Sequence, residues 1–333
     1  MSTDARTWVI GSGLNLVGRQ SASPPNGKDG PTRHLTYSTV RVTDWLYEQD
    51  IRSGMPYFQL LARIHEYLVP RTYVEIGVST GRSLTLALPG TVSIGVDPAP
   101  NLTFPVRRRT RIFHQTSDDF FAQHDLRHLF GGVPLDLAFI DGMHHFEFAL
   151  RDFMNLERSS NSDTTILVHD CLPIDEGTAA RERSTNVWSG DVWRLIVLLR
   201  QWRPDLEVVV VDSAPTGLGL IRGLDPTSTV LGDHYDKIVE QYLAMPFRSL
   251  DDGSMATQLN VISGDWASVR SRLPGRPFRS ANVELLKSHR ALRAIPSLGR
   301  RTLRSGRARL SRLLDARRSP SRAASSDHSS DPR

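Results

Sequence analysis

One stretch decides the fold of this chain: Tyr73-Val74-Glu75-Ile76-Gly77-Val78-Ser79-Thr80-Gly81-Arg82-Ser83. Its first residues predict a short buried parallel strand, and its two glycines predict a tight turn into a helix. A second short apolar run, residues 93–96, ends at Asp97. A carboxylate at the end of the next strand, roughly 20 residues on, is placed to accept hydrogen bonds from a ribose. The two runs together predict a site for a nucleotide-like cofactor.

The spacing of the glycines narrows the choice of cofactor. Dinucleotide folds usually carry three glycines as GxGxxG, which let a pyrophosphate sit on the helix N-terminus. Here Glu75 precedes Gly77, and the next glycine of the turn is Gly81. The acid would repel a pyrophosphate but suits a ligand that carries an ammonium group. The alternative is that the two glycines only permit a tight strand-to-helix turn.

This pattern resembles the first motif of the class I S-adenosylmethionine-dependent methyltransferases, with Asp97 as the acid that ends their second strand. The resemblance implies that the glycine turn holds the methionine moiety, that Asp97 holds the ribose, and that the adenine ring lies after the third strand. Ser117 is equally well explained as the N-cap of a helix that begins at Asp118. The cofactor-binding residues implied in this way are Glu75, Gly77, Ser79, Gly81, Asp97, Thr116 and Ser117.

Acids and a histidine follow the fourth and fifth predicted strands. Asp141 ends the run Leu135–Asp141, His144 comes three residues later, and Asp170 ends the run Thr165–Asp170. Because neighbouring parallel strands end at the same ligand-binding rim, we expect the three side chains to lie close together. Two carboxylates and a histidine suggest a divalent metal beside a general base. The alternatives are that Asp141 only caps the following helix and that His144 or His145 is a solvated turn residue.

The same region carries a more specific resemblance. FIDGMHHFEFALRDF at residues 139–153, followed by VHD at 168–170, resembles the family that includes macrolide-sugar (macrocin-type) O-methyltransferases. The resemblance implies that Asp141 and Asp170 bind magnesium and that His144 is the catalytic base. Two positions depart from the related patterns: His169 replaces the acid of macrocin-type enzymes, and Cys171 replaces the amide of catechol-type relatives. The full metal triad of either pattern is therefore absent.

Alternating strand and helix patterns predict an α/β fold: a Rossmann-like methyltransferase sheet with helices on both faces. Parallel neighbours need a crossover of a dozen or more residues, and the turn between the last two strands is too short for one. The last of the seven strands is therefore expected to be antiparallel, unlike the all-parallel sheet of a dehydrogenase. The predicted strands are residues 72–77, 92–97, 110–114, 135–141, 165–170, 206–212 and 218–222, and the predicted helices are residues 57–68, 80–88, 117–128, 145–158 and 191–202.

Composition divides the 333-residue chain into three parts. Residues 1–50 are predicted to be a flexible segment, 51–285 the methyltransferase domain, and 286–333 a basic, largely disordered tail. From Lys287 to Arg333 there are twelve arginines and one lysine against three aspartates, a balance of +10, whereas the whole chain carries +5. The rest of the chain is therefore mildly acidic, and its charge gives no argument for specific nucleic-acid binding. Leucines among the tail arginines suggest weak contact with an anionic membrane, with a solvated tail as the alternative.

The remaining sequence signals place the protein in the cytoplasm. The single cysteine, Cys171, excludes an internal disulfide, and no apolar run approaches the roughly 18 residues of a membrane span.

Two tryptophans follow the fifth predicted strand. Trp188 is predicted to contact the acceptor, and Trp193, at helical spacing from Ile196 and Val197, is predicted to lie in the core.

The sequence thus predicts an S-adenosylmethionine-dependent O-methyltransferase. Glu75 and the antiparallel hairpin disfavour a nicotinamide oxidoreductase. Metal assistance by Mg²⁺ and a hydroxyl of a sugar or glycosylated metabolite as acceptor are expected from the resemblance. A non-catalytic binding module with a methyltransferase-like fold is the alternative. The hydroxyl position and a possible homo-oligomer are left open.

Overall fold

The computed structural model describes residues 54–250, 254–275 and 278. Within these residues the strands form one mixed sheet of eight, in the order β3-β2-β1-β4-β5-β7-β6-β8. The predictions for the N-terminal segment and for the basic tail lie outside the described residues. The strands are β1 (Thr72–Ile76), β2 (Val92–Val96), β3 (Thr110–Phe113), β4 (Leu137–Ile140), β5 (Thr165–His169), β6 (Glu207–Val211), β7 (Leu218–Arg222) and β8 (Val261–Ile262).

Helices cover both faces of this sheet. None of those in the described part of the chain is long and apolar enough to cross a lipid bilayer. The helices are α1 (Tyr57–Leu68), α2 (Ser117–Gln123), α3 (Leu126–Leu129), α4 (Phe146–Glu157), α5 (Trp193–Trp202), α6 (Val230–Asp233), α7 (Tyr235–Leu243), α8 (Met255–Gln258) and α9 (Trp266–Ser271).

The predicted fold class is confirmed, with one addition to the sheet. Strands β1 to β5 are parallel, and β7 runs antiparallel between β5 and β6. The prediction of seven strands was one short, because β8 pairs in parallel with the edge of β6. Since β8 contains only two residues, it carries no alternating pattern from which a strand can be predicted.

Strand β1 is buried on both sides, which explains why it carries apolar side chains on both faces. Val74 and Ile76 pack into the core that contains α4 and α5, whereas Tyr73 packs into the core beneath α1. Each large apolar side chain removed from water in this way stabilises the fold by about 1.5–3 kcal/mol. Burial of both faces fixes the register of the sheet, and with it the rim at which the strands end.

Two predicted helices differ from the structure. The helix predicted over residues 80–88 was wrong, since only a 3₁₀ turn forms at Leu84–Leu86; Pro89 restricts Leu88 to extended backbone and prevents continuation. The helix predicted over residues 117–128 is divided, because the Asp125 carboxylate accepts from the Arg127 N–H and starts a new helix. Ser117 is not the N-cap either, since the Thr116 hydroxyl accepts the Asp119 N–H at 3.1 Å.

Candidate functional site

The carboxyl ends of the parallel strands open onto a cavity of about 770 Å³. This is the rim where open α/β sheets bind ligands, and the volume falls within the range of about 300–1,000 Å³ that ligand sites occupy. Seven of the residues predicted from sequence line the cavity. They are Gly77, Ser79, Asp97, Thr116, Ser117, Asp141 and His144.

Gly77 gives the turn after β1 its shape. Its φ of +85° lies in the left-handed region that favours glycine. A Cβ atom at this position would lie 2.0 Å from the Asp141 carbonyl oxygen. The absence of a side chain therefore lets the turn after β1 approach the end of β4, which brings the two halves of the cavity wall together.

Asp97, at the end of β2, holds this turn in place. Its Oδ2 accepts the N–H groups of Val78 and Ser79 at 2.9 and 2.7 Å, and its Oδ1 accepts the N–H of Ala99 at 2.8 Å. A carboxylate offers about four lone-pair sites, so at least one remains for a ligand hydroxyl. Asp97 can thus brace the turn and contact a ligand at the same time.

Glu75 lies behind the cavity wall. The carboxyl group is fully buried, and it accepts the Tyr73 hydroxyl at 2.6 Å and the Ser83 hydroxyl at 2.7 Å. Burial raises the pKa of Glu75 to about 8. Ser83 lines the cavity and Glu75 does not. Glu75 can therefore influence a ligand through the Ser83 hydroxyl, which it binds. Its predicted contact with an ammonium group stays a prediction, as does a ligand role for Gly81.

Asp141, His144 and Asp170 converge at the ends of β4 and β5. His144 Nε2 lies 3.5 Å from Asp141 Oδ1, and His144 Nδ1 lies 3.0 Å from Asp170 Oδ2. His144 and Asp170 have φ values of 57° and 63°, which non-glycine residues seldom adopt and which cost of order 1–3 kcal/mol each. The sequence correctly brought these three side chains together.

His169 joins this cluster, although the sequence marked it only as a departure from a related pattern. Its Nδ1 lies 3.1 Å from Asp141 Oδ1 and 3.3 Å from Asp170 Oδ2. Its ring packs on Tyr57, with 4.0 Å between the ring centroids, and both residues line the cavity. The position of His169 beside Asp170, at the end of a buried strand, was the signal that could have found it.

Asp141, His144 and His169 shift one another's pKa values. Burial by itself would raise the pKa of Asp141, but the charge of His169 and the hydrogen bond from His144 hold that pKa well below its usual range. Burial would lower the pKa values of His144 and His169, yet the neighbouring carboxylates outweigh it and raise both. The cluster therefore favours an ionised Asp141 carboxylate beside protonated imidazoles.

The donor atoms of this cluster fit a divalent cation. Asp141, His144 and Asp170 each offer one ligand atom, and these atoms all lie within 4.8 Å of one another. Two carboxylates suit a hard cation such as Mg²⁺, whereas an imidazole in the set suits a transition-metal ion better. The residues thus fit a divalent ion without selecting Mg²⁺.

The segment after β5 is fastened to the start of α4. Arg181 makes ion pairs with Glu147 and Asp191, each at 2.6 Å. Asp191 Oδ1 accepts the Phe146 N–H at 2.7 Å, so the Asp191 carboxylate binds the first backbone N–H of α4. The alternative that Asp141 caps this helix is therefore wrong.

Trp188 stands against the histidine of the cluster. Its ring stacks on the His144 ring, with 5.0 Å between centroids and 12° between planes, and its indole N–H donates to the Ala180 carbonyl at 2.6 Å. Its predicted acceptor contact stays a prediction. Trp193 is 1% exposed and packs in the core, as predicted.

Residues 74–171 match the family model described as a methyltransferase domain. The match begins within β1 and ends just after β5, and so includes the glycine turn, Asp97 and the acid–histidine cluster. The prediction of a methyltransferase is confirmed at the level of this domain. A comparison with curated protein sequences gave no match.

Several solved structures are similar to this chain. An O-methyltransferase from Bacillus cereus in complex with SAH has 16% identity and a TM-score of 0.38, over 55% of this chain and 89% of that chain. The O-methyltransferase TomG from Streptomyces achromogenes, in complex with SAM, has 14% identity and a TM-score of 0.39, over 55% and 86%. The SAH-bound methyltransferase PaMTH1 from Podospora anserina has 13% identity and a TM-score of 0.42, over 60% and 100%. At these scores the likeness does not decide which cofactor or acceptor this chain binds.

Proposed function

We propose that this chain is an S-adenosylmethionine-dependent O-methyltransferase that acts on a hydroxyl of a sugar or glycosylated metabolite. One observation carries the proposal: a single cavity is lined by the Asp97-braced glycine turn and by Asp141, His144 and His169 of the acid–histidine cluster. Such a cavity can place a nucleoside-type cofactor and an acceptor hydroxyl side by side. The methyltransferase-domain match over both parts supports this combination.

Each wall of the cavity takes one part of the cofactor. Asp97 accepts hydrogen bonds from the ribose, and the backbone after β1 meets the methionine moiety together with Ser83. Thr116 and Ser117, after β3, face the adenine end. The contacts of Asp97 with the turn support this assignment, because they hold the ribose and methionine parts of the wall in one fixed arrangement.

The reaction is an in-line displacement at the methyl carbon. The acceptor oxygen forms a bond to that carbon while the carbon–sulfur bond breaks, and the hydroxyl proton passes to His144 in its neutral form. Asp141 and Asp170 hold the imidazole from two sides. The chain's contribution is therefore to align the oxygen and accept its proton, since the sulfonium donor is already activated.

A divalent cation, when bound, would be held by Asp141 and Asp170 and would lower the pKa of a coordinated hydroxyl. A sugar hydroxyl is too weak an acid to ionise by itself at neutral pH, so assistance of this kind suits the proposed acceptor. His169 Nδ1 lies within 3.3 Å of both carboxylates, so a bound cation would share them with this imidazole.

The sugar acceptor rests on the resemblance to the macrocin-type enzymes and on the surroundings of His144. Trp188 covers one face of its ring, and Met143, which is 57% exposed, lies on the cavity wall beside it. Apolar surface of this kind packs against the C–H faces of a sugar while hydroxyls face the base.

Methyl transfer from labelled S-adenosylmethionine to a panel of sugars and glycosides tests this function. We expect cofactor-dependent labelling of a hydroxyl, which EDTA reduces and an added divalent ion restores. Full activity in EDTA would refute the cation and leave His144 as base. Cofactor binding without turnover on any acceptor would instead favour a non-catalytic binding module.

A further inference from the structure

The carboxylate of Asp170 is held by a hydroxyl from the antiparallel end of the sheet. Thr216, in the turn between β6 and β7, donates a hydrogen bond from its hydroxyl to Asp170 Oδ1. Both residues are buried, with Thr216 1% and Asp170 3% exposed. Asp170 Oδ2 lies 3.0 Å from His144 Nδ1 and 3.3 Å from His169 Nδ1, and it has no other partner among the described residues. The two oxygens of this carboxylate therefore face different groups.

The position of Thr216 is fixed by the antiparallel pairing of β7 with β5. Leu218 lies opposite His169 in this pairing, which places the turn before β7 beside the residues that follow β5. The Leu172 N–H donates to the Thr216 carbonyl at 2.7 Å. Gly217 has a φ of +75°, and a Cβ atom there would lie 2.4 Å from Leu172 Cβ, so the close approach requires a glycine. The turn is thus held firmly against the segment after β5.

A fixed partner on one oxygen determines what the other oxygen can do. The terminal torsion of an aspartate has a broad energy profile, so its carboxylate turns easily when nothing holds it. The bond to Thr216 engages Oδ1 and leaves Oδ2 for the imidazoles and for a cation. Carboxylates that bind metal ions are commonly oriented by such a second hydrogen bond, whose loss typically weakens metal binding or activity.

We propose that Thr216 is a positioning residue, which holds Asp170 so that a single oxygen, Oδ2, serves both His144 and a divalent cation. The inference rests on the proposed function, in which Asp170 contacts the base and the cation. Thr216 is not among the residues that line the cavity. Its effect on binding and turnover must therefore pass through Asp170.

Three variants of the full chain test the inference. Thr216→Val keeps the shape and removes the hydroxyl, Thr216→Ala removes it and leaves room for water, and Thr216→Ser keeps the hydroxyl without the methyl group. The probe is Mn²⁺, which accepts carboxylate and imidazole ligands. We expect the Val and Ala variants to bind Mn²⁺ about 10- to 100-fold more weakly in calorimetric titration and to lose a similar factor in kcat. Their KM for S-adenosylmethionine should stay within about twofold of the wild type, and Thr216→Ser should stay within about threefold in all three measurements.

Thr91→Val is the matched control. The Thr91 hydroxyl is fully buried and donates to the Pro70 carbonyl at 2.7 Å, before β2 and so at the edge of the sheet opposite the cavity. This variant should bind Mn²⁺ and turn over like the wild type. Equal losses in Thr91→Val and Thr216→Val would overturn the inference. Wild-type Mn²⁺ affinity and kcat in the Val and Ala variants, or a Ser variant as weak as Val, would also overturn it.

The two measurements separate failure of the inference from failure of the proposed function. A wild type that turns over without binding Mn²⁺ would contradict the cation of the proposed function, and the loss of kcat then decides the role of Thr216 through His144. A wild type that binds Mn²⁺ without turnover on any acceptor would contradict the proposed function itself, and the Mn²⁺ affinities then decide whether Thr216 positions Asp170.

Discussion

His144, the proposed base, and Asp170, a proposed cation ligand, have backbone conformations that are unusual for their residue types. Both have positive φ values, and both side chains lie close to that of Asp141 at the end of β4. Such strain persists only where the surrounding structure holds it. Here His144 is held by Trp188 on one ring face and by carboxylates at both nitrogens.

Replacing His144 by alanine tests its role as the base. We expect His144→Ala to retain cofactor binding and to lose on the order of 10²–10⁴ in turnover. His145→Ala is the matched control, because the neighbouring ring bonds the Arg181 carbonyl at 3.0 Å instead of facing the carboxylates. Steady-state kinetics and calorimetry measure the two effects. Equal loss of turnover in both variants would remove His144 from this role.

Glu75 makes stability depend on pH. Its pKa is raised to about 8, so between its ordinary value of 4.5 and about 8 the folded protein binds more protons than the unfolded chain. Stability must then fall as the pH rises through this window, by up to about 1.4 kcal/mol per pH unit. Glu75→Gln should flatten the dependence of the free energy of unfolding, measured with urea at pH 6 and pH 8. Asp152, whose pKa burial raises to about 7, acts in the same direction, so some slope should remain; an unchanged slope would contradict the assignment.

The site residues that could be predicted from the sequence are those that directly follow a recognisable buried strand. Asp141, His144 and Asp170 follow adjacent apolar runs, and the rule that parallel strands end at one rim brought them together. His169 was not predicted as part of the cluster, because the sequence pattern showed it only as a replacement for an acid of related enzymes.

At the scale of elements, the segment between β5 and α5 is joined to the start of α4 by a buried acid. Asp191 is fully buried, bonds the Phe146 N–H, and forms ion pairs with Arg181 and Arg194. Gly190 has a φ of +60°, and a Cβ atom there would lie 1.9 Å from the His144 carbonyl oxygen. This close approach is what sets Trp188 against the histidine ring.

Removing the Asp191 carboxylate should therefore disturb stability and site together. We expect Asp191→Ala to lower the free energy of unfolding by about 3–5 kcal/mol, because it leaves the buried Arg194 without its counter-charge. Asp205→Ala is the control: its carboxylate is 53% exposed, and its partner Arg203 keeps Glu157 at 2.8 Å. That change should cost at most about 1 kcal/mol. Equal losses in urea denaturation would contradict the structural role of Asp191.

The strands were easier to predict than the helices beside the site. Buried strands are rich in apolar and β-branched residues, so β1, β2 and β5 were placed to within one residue. The turn after β1 contains apolar residues at helical spacing, but Pro89 and the contacts of the turn with Asp97 decide its conformation. Tertiary contacts of this kind are not visible in local periodicity.

At the scale of the whole molecule, the described domain and the basic tail have opposite charge. The residues that line the domain's cavity lie between Tyr57 and His169, whereas the arginine-rich stretch begins beyond Leu286. Nothing in the proposed chemistry needs the tail. Its charge is therefore proposed to serve weak attraction to anionic membranes, separate from catalysis.

Truncation after Leu286 separates the two functions. The shortened chain should turn over a soluble acceptor at nearly the wild-type rate, while losing any salt-sensitive sedimentation with anionic lipid vesicles. Neutral vesicles are the control and should bind neither form. If the full-length protein ignores anionic vesicles at low salt, the tail has no docking role.

The central claim, that the cavity binds S-adenosylmethionine, is tested most directly by calorimetric titration with S-adenosylhomocysteine. The wild type should bind it, and Asp97→Ala should weaken binding by about 1–3 kcal/mol through loss of the ribose contact. Asp163→Ala, an exposed acid before β5 at the opposite edge of the sheet, should bind like the wild type. Unchanged affinity in Asp97→Ala would remove that residue from the site. Tight binding of NAD with no binding of S-adenosylhomocysteine would contradict the whole account.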